Sequence, residues 1–370
     1  MSLVSYVNLP VQHQNIKTEL LQTVERVLNH GGFILGDEVA TFESEFAAYC
    51  GTRYAVGVAN GTDAMVLALK ALGIGVNDEV ITAPNSFLAS ASAIALTGAT
   101  PVFVDVRDDY NLDPDLLKAA ITPRTRAILP VHLTGRPADM NAILAVAEKH
   151  GLVVVEDAAQ AVGAKYHGQR VGSFGVAGCF SFHPLKNLNA CGDGGVITTN
   201  NEAVYQYLLK ARNHGLRNRN ECQFWSLNSR LDALHAAMLQ VKLKYLDTWT
   251  EVRRANAVFY RERLADVVQV PQEQPHEYAV YQTFVVQAER RDDLCCYLTE
   301  CGVETKVHYS IPIHLQEAAR SLGYKAGDFP VAEQQAECIL SLPVYPELTV
   351  EQREHVVSAI GAFYEGGEKF

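Results

Sequence analysis

Leu152-Val153-Val154-Val155-Glu156-Asp157-Ala158-Ala159-Gln160 begins as an unbroken apolar run and ends in a carboxylate. No polar residue alternates within Leu152–Val155, so the segment reads as a strand covered on both faces. That is the habit of parallel sheets in α/β proteins. Asp157 then stands at the strand's C-terminal end, where open α/β sheets collect their ligands.

The same texture extends to either side. Tyr54–Val58, Glu79–Ala83, Pro101–Asp105, Arg126–Val131, Leu152–Glu156, Gly178–Phe182 and Gly195–Thr199 read as strands. Thr62–Leu72, Ser86–Thr97, Pro114–Ala120 and Pro137–His150 read as the helices between them. This alternation predicts a mostly parallel sheet sandwiched by helices. Ahead of it, Asn15–His30 and Asp37–Tyr49 look helical, separated by Gly31-Gly32-Phe33-Ile34-Leu35-Gly36. Behind it, Arg230–Leu246 and Asp247–Leu264 look helical, and Trp249, Val252, Ala255 and Phe259 form a stripe that reads as core. From about Val267 the pattern changes. Val280–Val286 and Gly302–Tyr309 are strand-like, while Arg291–Glu300, Pro330–Ile339 and Thr349–Glu365 are helical. The division expected is a large α/β unit over residues 1–246, with an N-terminal helical arm, and a smaller α+β unit over 247–370.

Composition narrows the function classes. The chain has 370 residues, 48% hydrophobic and 20% charged, with a net charge of −11. That charge disfavours nucleic acid or an anionic membrane as a partner. No apolar run approaches the ~20 residues of a membrane span. Met1 to Leu9 lacks the basic-then-apolar order of a signal peptide, so a cytoplasmic location is the expectation. None of the eight cysteines forms a CxxC pair; they read as reduced thiols, and no metal site is expected.

Three places carry candidate chemistry. Asn60-Gly61-Thr62-Asp63-Ala64 follows the first strand and opens a helix, where free N–H groups and the helix dipole suit a phosphate; taken alone, these residues read first as an ordinary N-cap. Neither a Walker A ending nor a dinucleotide fingerprint is present, since Gly73-Ile74-Gly75 lacks the third glycine and the following helix. Asp157, with Gln160 three residues on, needs a partner for a carboxylate at the end of a buried strand; a cationic ring nitrogen or a helix start would serve. Ser181-Phe182-His183-Pro184-Leu185-Lys186-Asn187-Leu188 places Lys186 in a loop ahead of the turn Asn189-Ala190-Cys191-Gly192-Asp193-Gly194-Gly195. A buried lysine amine and an acid for a pyridinium nitrogen are what pyridoxal phosphate (PLP) requires. Phe87, in Pro84-Asn85-Ser86-Phe87, is an aromatic available to stack on such a ring.

These motifs, in order with Asn228-Ser229-Arg230-Leu231-Asp232 and His308-Tyr309, resemble the DegT/DnrJ/EryC1/StrS family of sugar aminotransferases nearly end to end. The resemblance implies an aspartate-aminotransferase-like fold of type I, with a large PLP-binding domain and a smaller C-terminal α+β domain. It implies that Lys186 holds PLP as a Schiff base and moves the proton, that Asp157 pairs with the pyridinium nitrogen, and that Gln160 contacts the ring oxygen. Phe87 would stack on the ring, and Gly61, Thr62, Asp63 and Ser181 would hold the phosphate. Asn228 would reach the phosphate of a neighbouring subunit, making a homodimer with shared sites. Arg230 is either structural or substrate-facing. His183, His308, Tyr309 and His314 are candidates for the sugar pocket, or else satisfied surface and core residues.

The implied reaction takes an amino group from glutamate, through pyridoxamine phosphate, to a nucleotide-linked keto sugar, with a dTDP-linked 6-deoxyhexose favoured. Family members that dehydrate sugars carry His at the Schiff-base position, and Lys186 disfavours that alternative. A keto-inositol aminotransferase and a non-catalytic regulator remain the other two readings.

Overall fold

The computed structural model describes residues 3–366; the outermost residues of the two expected units, 1–2 and 367–370, lie outside it. Seven strands form the central sheet: β1 (Tyr54–Val58), β2 (Glu79–Thr82), β3 (Thr100–Phe103), β4 (Thr125–Ile128), β5 (Val153–Asp157), β6 (Ala177–Ser181) and β7 (Gly195–Thr199). Their spatial order is β1-β7-β6-β5-β4-β2-β3. β7 is antiparallel to both neighbours, and the other adjacent pairs are parallel. β6 and β7 are joined by a loop with no crossover helix, a connection that only an antiparallel neighbour permits. That loop carries Lys186. β1, β5 and β6 run the same way, so Asn60, Asp157 and Ser181 all emerge at one edge.

Side-chain alternation along β6 sorts the chemistry from the core. Phe180 and, just past the strand, Phe182 point to one face, where they meet Phe46 and Phe42 edge-on at centroid distances of 5.1 and 5.5 Å. All four rings are fully buried. Cys179 and Ser181 face the other side, toward the helix Gly61–Ala71. A Cβ on Gly61 would sit 2.8 Å from Ser181 Cβ, so the helix start touches β6 only because residue 61 has no side chain. Asn60 caps this helix, its Oδ1 accepting from Asp63 N at 2.8 Å.

Several expectations shift. The helix expected from Ser86 begins at Ala89, which leaves Ser86 and Phe87 in the loop facing the sheet edge. Gly302–Tyr309 is not a continuous strand. It makes single bridges, Val303 to Val4 and Lys306 to Ser341, because Ile339–Leu342 pairs instead with Phe284–Gln287. Ile339 therefore ends the helix Pro330–Cys338 and starts a strand. The helix Glu202–Ala211, capped by Asn201, was not expected from the pattern. In the C-terminal unit, helices Leu246–Leu264, Arg291–Glu300 and Val350–Glu365 share a core with that two-stranded sheet, around Tyr260, Phe284, Leu340 and Ile360. Val4 is buried in the same core, so the N-terminal segment crosses to this unit.

Candidate active site

The C-terminal ends of β1, β5 and β6 open into a cavity of about 580 Å³. Its walls include Gly61, Thr62, Asp63, Phe87, Asp157, Gln160, Ser181, His183, Lys186, His308 and Tyr309, candidates from five separate stretches of sequence.

Asp157 lies at the floor, almost wholly buried. Its Oδ2 accepts from Ser90 Oγ at 2.7 Å, and Ser90 Oγ in turn lies 3.0 Å from Ser86 Oγ. Its Oδ1 accepts from Ala159 N at 3.1 Å. Burial still raises the Asp157 carboxyl above its ordinary range, against the opposing pull of these two bonds and of Lys186. Lys186 shows the mirror effect. The residue as a whole is half-buried but its amine is enclosed, and burial lowers it to about 8, opposed by Asp157. Each group is held away from its preferred charge, and a ligand bringing a cationic nitrogen to Asp157 and an electrophile to Lys186 relieves both.

Glu156, the adjacent carboxylate, takes the opposite face of β5 and serves the scaffold. Its oxygens accept from the N–H groups of Gly172, Phe174 and Gly175 at 2.6–2.8 Å. His132 Nδ1 accepts from Ala138 N, which leaves Nε2–H to donate to Glu156 Oε2 at 3.0 Å. Gln160 is oriented by Thr134, whose N–H donates to its Oε1 at 2.8 Å and so turns the NH₂ toward Tyr309 and the cavity. At the other wall, burial lowers His308 to about 4 and pushes Tyr309 up to about 12. The His308 ring is a neutral imidazole there, its Nδ1 2.9 Å from Ser341 Oγ. The Tyr309 ring stands 5.6 Å from that of Phe87.

Three candidates fall outside this cavity. His314 is turned inward by the short helix Ile313–Leu315, bonds Glu333 at 3.0 Å and packs edge-on against Phe329, so it lines no part of the site. Arg230 donates to Asn213 Oδ1 at 2.9 Å, beside the bridge that pairs Asn213 with Asn228. Asn228 itself is exposed. Ser90, Thr134, Asp193 and Gln282 belong to the site without having been expected. Of these, Asp193 alone stood in a stretch the sequence had singled out, the turn Gly192-Asp193-Gly194-Gly195.

The profile of the DegT/DnrJ/EryC1/StrS aminotransferase family matches residues 14–361. The chain belongs to that family. A pleiotropic regulatory protein of Geobacillus stearothermophilus is 45% identical over 366 residues, covering 98% of each chain. The dTDP-3-amino-3,4,6-trideoxy-alpha-D-glucose transaminase of Streptomyces venezuelae is 43% identical over 365 residues, 98% of this chain and 96% of that one. Among solved structures, S. venezuelae DesV in complex with a ketimine intermediate superposes with a TM-score of 0.97 at 43% identity, covering 99% of both chains. The protein is thus a PLP-dependent aminotransferase, of the fold type expected from its sequence. Among the described residues no group of three or more His, Cys, Asp or Glu is placed to hold a metal, and no helix is long and apolar enough to cross a membrane.

Proposed function

We propose that the protein carries an amino group from glutamate to the keto carbon of a nucleotide-linked 6-deoxy sugar, as a dimer with shared active sites. The observation that carries this is the pairing, in one cavity, of an amine lowered to about 8 with a buried carboxyl above its ordinary range. PLP supplies an aldehyde that takes up the amine and a ring that stores the electron pair when the adjacent C–H bond breaks. Lys186 would hold it and, with an amine that burial makes easier to deprotonate, shuttle the proton. Asp157 would keep the ring nitrogen protonated. Gln160 would donate its NH₂ to the ring oxygen, and Phe87 would cover one ring face. Thr62 and Ser181, with the backbone N–H groups of the helix start at Gly61, Thr62 and Asp63, would seat the phosphate.

The nucleotide sugar is supported by the transaminase relative, whose name places the amine at C3. The dimer is supported by a charge mismatch. The cavity walls carry Asp63, Asp157 and Asp193 against Lys186, whereas glutamate and a sugar diphosphate are both anionic. Arg217 and Arg219 stand exposed on the hairpin that leads to Asn228. A second copy presenting that hairpin to the cavity supplies both the missing cations and Asn228 of the partner subunit.

Purified holoprotein incubated with glutamate and dTDP-linked 3-keto and 4-keto 6-deoxyhexoses, analysed by mass spectrometry, tests the reaction. The expected result is equal amounts of 2-oxoglutarate and an amino sugar nucleotide, from the 3-keto substrate first, abolished by Lys186→Ala. Turnover by Lys186→Ala near the parent rate would remove Lys186 from its role. A holoprotein inert toward every keto sugar would favour the regulatory reading suggested by the Geobacillus relative.

A further inference from the structure

Behind the cavity, on the helix Ala233–Leu243, lies a second enclosed lysine for which the reaction has no use. Lys242 is 0% exposed. Its Nζ meets three neutral acceptors: Asn189 O at 2.8 Å, Asn189 Oδ1 at 2.6 Å and His13 Nε2 at 2.9 Å. Three ammonium protons are therefore matched by three acceptors. Burial and the Lys242 charge both lower His13, so its ring accepts as a neutral imidazole.

This arrangement fixes an ambiguity. An asparagine amide can face either way, and the network decides which. An ammonium has only donors, so Lys242 forces Asn189 Oδ1 toward itself. Asn189 Nδ2 must then point the other way, where it donates to Lys186 O at 3.0 Å and to Gln12 Oε1 at 3.2 Å. The carbonyl so held belongs to the residue that anchors the cofactor. Other bonds close the same loop: the backbone pairs Lys186 N to His183 O at 2.8 Å and Ala190 N to Phe182 O at 2.7 Å, Gln282 Nε2 to Leu185 O at 3.1 Å and Asn187 Nδ2 to Val280 O at 3.0 Å, but none of them reaches the Lys186 carbonyl. Gln12 and His13 tie the hub to the N-terminal helix Leu9–Gln14.

We propose that Lys242 and Asn189 are positioning residues for Lys186: the buried ammonium sets the Asn189 amide, and the amide holds the Lys186 carbonyl so that its side chain enters the cavity in one orientation. This rests on Lys186 being the cofactor anchor.

Asn189→Asp isolates the effect. A carboxylate still accepts from Lys242 and supplies it with a counter-ion, but cannot donate to Lys186 O or to Gln12 Oε1, and Gln12→Ala is the control for the second bond. In PLP-loaded protein, single-turnover reaction with glutamate should slow by about 10- to 100-fold, the loss typical of a misplaced reacting group. KM for glutamate should stay within about twofold, while the pH midpoint of the cofactor's visible absorbance band moves. Lys242→Met should move the same readouts. The double variant Lys242→Met/Asn189→Ala should be no slower than the slower single variant, because the lysine acts through the amide. If Asn189→Asp does not fold, Asn189→Ala carries the same measurement. An unchanged rate and band midpoint in a folded Asn189 variant, or losses that multiply in the double variant, would overturn the proposal. Parent protein that shows no visible band with PLP would instead overturn the anchor role itself.

Discussion

Lys186 and Asp157 both sit in surroundings that resist their charge, and the sign of that resistance is measurable without catalysis. Lys186 ionises at about 8 in the folded chain against 10.5 when unfolded. Below pH 8 it is protonated in both states and the folded protein bears the full cost, about 3 kcal/mol at ~1.4 kcal/mol per pH unit. That cost fades as pH rises from 8 toward 10.5, because the unfolded state then binds more protons than the folded one. Lys186→Met should therefore stabilise the cofactor-free protein at pH 7, with the gain lost by about pH 10.5 in denaturant titrations run across that range. Asp157→Asn keeps the shape and removes the charge. It should fold and bind PLP while losing at least about 10³-fold in kcat, since only an anion keeps the ring nitrogen protonated. Both residues were legible in the sequence because a carboxylate after a buried apolar run and a lysine in a glycine-flanked loop break local rules. His132, Lys242 and Asn189 were not. Their burial is set by partners 24 to 229 residues away, and no local pattern announces it.

The helix start at Gly61 and strand β6 depend on each other. Gly61→Ala brings a Cβ against Ser181 Cβ and pushes apart the two groups proposed to share the phosphate. PLP affinity should fall by about tenfold or more, read by dialysis and absorbance, with little change in Asp157-dependent chemistry once the cofactor is saturating. On the other face of β6, Phe46→Ala empties a position packed by Phe42, Phe180 and Phe182, and should cost about 3–5 kcal/mol in denaturant unfolding. The strands of the sheet were readable to within a few residues because their apolar runs are bounded by turn residues. Ile339–Leu342 took the strand position expected of Gly302–Tyr309 because the pairing is decided by which segment lies beside Phe284–Gln287, a tertiary choice that strand propensity does not encode.

The whole molecule brings the ends of three strands of one sheet, a loop between antiparallel neighbours and a wall from the C-terminal unit into a single cavity. Trp225, 94% exposed, and the exposed Arg217, Arg219 and Asn228 lie together on one projecting segment, which fits a surface covered by a second copy. The shared sites proposed above make a specific demand. At limiting PLP, Lys186→Ala and Asn228→Ala homodimers should each be nearly inactive, and remixing after mild dissociation should restore activity up to about a quarter of the parent's. Each heterodimer then keeps one intact site. A monomer by sedimentation, or no recovery on mixing, would remove the shared site.

The most direct measurement is the visible absorbance of the PLP-loaded protein, first with glutamate and then with a dTDP-linked 3-keto-6-deoxyhexose. Glutamate should bleach the band, the keto sugar nucleotide should restore it, and a sugar nucleotide without a keto group should not. A band that glutamate leaves unchanged would contradict an amine carrier built on Lys186 and Asp157.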